Sequence, residues 1–297
     1  MDDIILLRES AEEFPDNLDF QIRFAEHLFY SINNNQEINN FEKCNELITE
    51  LLELSTKQPD IDLVQSHTAG ALSNLILNAN DENELDYNFL FGELRALAKR
   101  NNTQHVKSAL ANALYNLAYQ AKEEKERQEH DALLEELRLF SPTCANNVEV
   151  TFFFSLALYN AVNYALEEND LKWRDALLKE LRELENKQDK NYEVTANFAR
   201  SLQNSTNHIQ RQRKYNQGFS LLQELRKFAE QKPDNQDVQT SFAITLFNTF
   251  IYMDFDGFIE KRDEVANELM QLYQNHEELT FIPKEFFPKL KEKGLIK

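Results

Sequence analysis

The chain has 297 residues, with 32 Lys and Arg against 51 Asp and Glu, a formal net charge of −19. That excess of acid works against nucleic acid as a partner, because gripping a phosphate backbone needs Lys and Arg in excess. Only five residues are glycine, where average usage would give roughly 21, so long helices with short connections are expected. No run of about 18 apolar residues is present to span a membrane. The start, MDDIILLRES, lacks the basic stretch and cleavage site of a secretory signal. Cys44 and Cys144 fall more than two repeats apart, too distant to bridge. Reduced thiols and a cytoplasmic location are the expectation.

Residues 1–14 read as a single helix that begins in mid-repeat and is closed by Pro15-Asp16-Asn17. After it, one motif is written six times: 20–30 (FQIRFAEHLFY), 64–74 (VQSHTAGALSN), 106–116 (VKSALANALYN), 150–160 (VTFFFSLALYN), 194–204 (VTANFARSLQN) and 238–248 (VQTSFAITLFN). The last residues of successive copies are 44, 42, 44, 44 and 44 apart. A fixed period in this range marks a stacked-repeat architecture. Each copy belongs to a first helix, A, numbered here so that Val238 is position 3. At about 100° per residue, positions 3, 7, 8 and 11 share one arc that faces the second helix. Position 8 is small throughout: Ala25, Ala69, Ala111, Ser155, Ala199 and Ala243.

A polar stretch such as 78–84 (NANDENE) or 166–170 (LEEND) leads from A to the second helix, B. The B helices carry an apolar stripe at 0, +4 and +7, for example Leu47/Leu51/Leu54, Leu90/Leu94/Leu97 and Leu177/Leu181/Leu184. They also carry Glu-Leu-Arg triplets at 93–95, 136–138, 180–182 and 224–226, in phase with the A motif. Ion pairs between neighbouring repeats are the expected role of these triplets. Pro59-Asp60 and Pro233-Asp234-Asn235 close repeats, since Pro cannot continue a helix while Asp and Asn can cap the next.

The order apolar 7, small 8, apolar 11 in helix A, three apolar residues in helix B and a closing Pro resembles the tetratricopeptide repeat. Phe242, Ala243, Leu246, Leu221, Leu225, Phe228 and Pro233 occupy those places. That repeat has 34 residues; most of these have 44, and the additional ten fall between positions 13 and 20. The resemblance covers roughly residues 15–275. It implies an all-α, right-handed α-solenoid of about six helix-turn-helix repeats in one domain, 1–297. A half-repeat (1–14) precedes the repeats (15–275), and a cap or tail (276–297) with five Lys follows.

Catalytic signals are nearly absent. Five scattered glycines cannot build a phosphate loop, and no His has a Glu three residues before it. Glu126 and His130, one turn apart, could share a metal, but a solvated contact is the simpler reading. No cofactor, no metal and no enzymatic activity are expected. The distinctive array is position 13: Asn74, Asn116, Asn160, Asn204 and Asn248, with Tyr30 in the first repeat. Positions 2, 5, 9, 13 and 16 point away from helix B, towards the concave groove that the resemblance implies. Asn is a mediocre helix former, roughly 0.5–0.7 kcal/mol worse than Ala, so five mid-helix copies need a reason. Two readings stay open: the amides pair with the backbone of a bound peptide, or they bond the adjacent A helix or were merely copied by duplication. Position 12 (Phe29, Tyr115, Tyr159, Phe247) should pack on the next A helix, while Phe152 and Leu156 point into the groove.

The resemblance thus implies a scaffold, adaptor or sensor module binding a protein or peptide in that groove, as a monomer or within a larger chain or complex. A basic partner is expected if the groove shares the body's acidity. The alternative is a catalytic or non-catalytic subunit of a larger enzyme assembly with a site in the groove.

Overall fold

The computed structural model describes residues 2–78, 85–188, 190–276 and 283–292. Among them are fourteen α-helices: α1 (Asp2–Glu13), α2 (Leu18–Glu37), α3 (Phe41–Lys57), α4 (Asp62–Asn78), α5 (Tyr87–Arg100), α6 (Gln104–Glu123), α7 (Arg127–Phe140), α8 (Val148–Glu167), α9 (Leu171–Lys187), α10 (Tyr192–Arg211), α11 (Tyr215–Gln231), α12 (Gln236–Phe255), α13 (Ile259–Asn275) and α14 (Pro283–Glu292). No strand occurs among the described residues, and no described helix is long and apolar enough to cross a membrane. The chain divides into two compact units, residues 1–154 and 155–297, with the division inside α8.

In the first unit the A helices α2, α4 and α6 pack side by side, and α3, α5 and α7 each pack on the A helix before them. In the second, α10 packs on α12, with α11 and α13 on their own A helices. The apolar arc explains this. Positions 3, 7, 8 and 11 are buried in all six A helices, apart from a half-buried Phe20. Position 8 is 0% exposed in every repeat, so the small residue does sit where helices meet. The middle B-helix leucines Leu51, Leu94, Leu137, Leu181, Leu225 and Leu269 are likewise fully buried. The last described helix is α14, whose Phe287 ring lies 5.3 Å from Tyr273 and whose Leu290 is buried.

The additional residues of the long repeat lengthen helix A rather than a loop. The A helices α2, α6, α8, α10 and α12 run through position 20, so Leu166 and Glu167 of the polar stretch are still helical; α4 is described to Asn78, and residues 79–84 of the other stretch lie outside the described residues. Five A helices end in one motif with a left-handed residue at position 22: Asn39, Lys125, Asn169, Arg213 and Gly257, with φ between 55° and 78°. In each, the next N–H reaches back five residues, as from Glu126 to Ala121 (2.8 Å) and Lys214 to Ile209 (3.1 Å). This is the Schellman closure, which satisfies carbonyls that the helix end orphans. A non-glycine residue in this region is strained, and Asn tolerates it better than Lys. Lys125→Gly should therefore raise the unfolding free energy by about 1 kcal/mol, and Asn169→Gly by less; chemical denaturation of the two variants checks the order.

At the opposite corners, Asn side chains cap the next A helix. Asn17 Oδ1 accepts from Asp19 N (3.1 Å), and Asn147 Oδ1 from Val150 N (3.2 Å). Where the preceding helix ends near a closing Pro, position 4 is Gln. Gln65 Nε2 donates to Ser55 O (3.0 Å) and Gln58 O (2.9 Å), and Gln239 Nε2 to Ala229 O (2.8 Å) and Lys232 O (3.0 Å). Gln21 does the same for α1 through Ala11 O (2.8 Å). The triplet ion pairs link successive B helices. Arg95 Nε meets Glu136 Oε1 at 2.8 Å, Arg182 Nε meets Glu224 Oε1 at 2.7 Å, and Arg226 Nη2 meets Glu268 Oε2 at 2.6 Å. Arg8 makes the same link from α1 to Glu50. All are part-exposed, so each contributes only about 0–1 kcal/mol.

Cys44 and Cys144 are buried and, among the described residues, not bridged. Burial pushes the Cys44 thiol up, away from the reactive thiolate. Burial also lowers the pKa values of His67, His130 and His208, and the Asp131 contact at 3.1 Å does not reverse this for His130. Below about 6.5, the unperturbed histidine value, the unfolded chain binds protons that the folded chain refuses. Stability from these groups is present above that pH and is lost as pH falls through the depressed folded values. The melting midpoint should drop between pH 7.5 and 5.5, and His130→Gln should flatten the drop.

Candidate functional site

Opposite the buried arc, each A helix keeps a face that neighbours cover incompletely. Positions 9 and 13 are half-buried in α4, α6, α8, α10 and α12, and exposed as Glu26 and Tyr30 in α2. Charge on this face, counted at positions 2, 5, 9, 13 and 16, is acidic: Asp19, Glu26, Glu149, Glu193 and Asp237 against Arg200. In the second unit Arg200 Nη2 binds Asp237 Oδ1 at 2.6 Å, and Tyr192 also bonds this carboxylate. Burial pushes Asp237 up, but the bonds from Tyr192 and Arg200 outweigh it and hold the group below the usual carboxylate range.

The asparagine array is not uniform. Asn74 Nδ2 donates to Asn33 Oδ1 on α2 at 3.0 Å. Asn204 Nδ2 donates to Asn163 Oδ1 on α8 at 2.9 Å and lies 3.4 Å from the Tyr159 hydroxyl. Both are position 13 to position 16 of the preceding A helix. Asn116 turns back within α6, donating to Asn112 O (2.9 Å) and Oδ1 (2.7 Å), while Asn112 reaches Ser73 on α4 at 3.4 Å. Asn160 is half-buried on α8. Asn248 is half-buried on α12 and makes no side-chain hydrogen bond among the described residues. Beside that series, Asn207 holds position 16 of α10, and its Oδ1 is buried without a hydrogen-bond partner among the described residues.

Position 16 is thus the partner that position 13 alone does not reveal. Its signal is in the chain, since Asn33, Asn163 and Asn207 recur at that place. The aromatic flank behaves as its position implied. The Phe29 ring lies 5.5 Å from His67 on α4, over Gly70, where a Cβ would come within 3.1 Å of Phe29 Cε2. Tyr115 lies 6.0 Å from Phe153, whose ring also touches Phe152 at 5.2 Å. Phe152, in the first unit, and Leu156, in the second, are both half-buried.

These contacts set graded expectations for alanine. Asn74→Ala and Asn204→Ala each remove the donor of an interhelical bond on a part-exposed face, costing about 0.5–1.5 kcal/mol. Asn248→Ala should be neutral or slightly stabilising, because Ala is the better helix former. Equal thermal midpoints for all three would contradict this assignment. As for metals, among the described residues no three His, Cys, Asp or Glu side chains gather to hold one.

No protein-family model, curated protein or solved structure matches the chain in any of three comparisons.

Proposed function

We propose that the chain is a right-handed, tetratricopeptide-like solenoid that binds a protein or peptide segment across the A-helix face. The observation that carries this reading is the same half-exposed set of positions 9 and 13 recurring along the A helices of each unit. The solvent face of an amphipathic helix is ordinarily polar or charged. Here it mixes amides, aromatic rings and aliphatic groups, among them Phe152, Leu156 and Ile244. Asn74, Asn116 and Asn204 keep carbonyl lone pairs beside the bonds they donate, so structural and recognition roles coexist. Five acids against one Arg favour a partner segment that carries Lys or Arg, with affinity that falls as salt screens exposed charges over about 8–10 Å.

The test is variant-dependent retention of partners from a lysate. Leu156→Glu and Ile244→Glu place charge on the A face, while Lys179→Glu changes the exposed side of α9. Partners held by wild type and Lys179→Glu but lost by the two A-face variants support the reading. Retention that ignores the A-face variants refutes it.

A further inference from the structure

Every described A-to-B corner has the same backbone, so duplication alone should leave the corners chemically alike. Three are polar or acidic: residues 37–40 read EINN, 123–126 EEKE and 167–170 EEND. The last two depart together. Residues 211–214 read RQRK, and residues 255–258 read FDGF. Between these two corners, wholly within the second unit, lies an open cleft of about 560 Å³. Its floor and walls include Tyr215, Phe219, Met253 and Phe258, and Lys214 and Lys261 stand at its rim. That volume lies within the range of sites that seat a small ligand or a large side chain.

The charged side chains that line the cleft, Arg213, Lys214 and Lys261, are all cationic. Asp256, the nearest acid on the aromatic corner, is consumed: Arg213 Nη2 lies 3.2 Å from its Oδ1, and the Tyr215 hydroxyl donates to its carboxylate. Burial, then that hydrogen bond and charge, push Tyr215 up to about 12, so the phenol stays neutral. Lys261 is held by Glu264 at 2.6 Å. Lys214 makes no ion pair among the described residues. Exposed apolar side chains adjoin the cleft. Phe255 is 80% exposed and Ile259 55% exposed, beside a Phe258 that stacks edge-on against Tyr215 at 5.3 Å.

We propose that this cleft is a second docking site, separate from the A-helix face, for an acidic segment of a partner protein. One large apolar residue of that segment sits among Phe219, Met253 and Phe258, and its neighbouring Asp or Glu pairs with Lys214. Aromatic rings and a thioether around one pocket are what binding hot spots use, and a free ammonium at the rim selects the sign of the flanking charge. An anionic bilayer suits the site less, because a chain of net charge −19 is repelled by it and a cleft does not match a flat surface.

The test is selection of a displayed random dodecapeptide library on the intact chain. Enriched clones should set Asp or Glu beside Phe, Trp, Leu or Met. Synthetic copies should bind at least tenfold more weakly to Lys214→Glu, an exposed change that leaves the core alone, and to Phe258→Ser. Their binding should be unchanged in Leu156→Glu, which separates this site from the A-helix face. No enrichment, clones without acidic bias, or clones indifferent to both corner variants would overturn the proposal. So would clones lost only on Leu156→Glu. Binding instead to phosphatidylserine vesicles, abolished by Phe255→Ser, would overturn it in favour of a membrane.

Discussion

Replacing Phe250 by alanine should lower the unfolding free energy by about 3–5 kcal/mol, the usual cost of deleting a buried aromatic ring. Among the described residues Phe250 is the largest of the fully buried side chains, 1% exposed at position 15 of α12. Its helix neighbours Leu246 and Met253 are buried with it, as is Leu269 on the packed helix α13. The ring's loss forfeits its transfer free energy, and close-packed surroundings relax only partly into the space. Phe250→Leu keeps most of the volume and should cost clearly less. Urea denaturation followed by circular dichroism reads both. A Phe250→Ala midpoint equal to wild type would mean that the ring is not buried in a close-packed site as described.

The opposite error, too much volume, should also be expensive. Ala111 at position 8 of α6 is 0% exposed, and α6 packs on both α4 and α7. Ala111→Leu should cost about 1–3 kcal/mol, because the added methyl groups can be housed only by strained rotamers or parted helices. Ala109, two residues earlier, is only half-buried, so Ala109→Leu provides the matched control and should cost little. If both changes are equally mild, position 8 is not the point of closest helix approach.

These two sites differ in how plainly the chain announces them. Position 8 is small in six of six copies, and a small residue kept in phase with an apolar stripe can only mean close approach. Position 15 carries Ile32, Ile76, Ala118, Val162, Thr206 and Phe250. All are buried, yet their sizes vary so widely that no motif marks the position. Each size suits a different set of neighbours, which only packing reveals.

The asparagine array divides along the same line. That position 13 lies off the buried arc follows from 100° per residue alone. Whether its amide meets a neighbour depends on what stands at position 16 of the preceding A helix. That residue is 41 positions away for both Asn74–Asn33 and Asn204–Asn163. The glutamines at position 4 are equally silent, since their partners are backbone carbonyls at a helix end and carry no sequence signature.

The sequence by itself determined the helices, their pairing and the buried faces, because helical spacing projects directly onto a face and the repeat states that spacing six times. It also pointed to the ion pairs that Arg95, Arg182 and Arg226 make, since opposite charges one repeat apart on matching faces come within reach of each other. Only the tertiary structure decided that the extra residues lengthen helix A, that Lys125 and Arg213 take left-handed corners, and that the RQRK and FDGF corners enclose a cleft. Each of those depends on groups tens of residues apart, or on a backbone conformation that Lys and Arg do not advertise. Local spacing encodes which side of a helix is buried; it does not encode which atoms another helix brings to it.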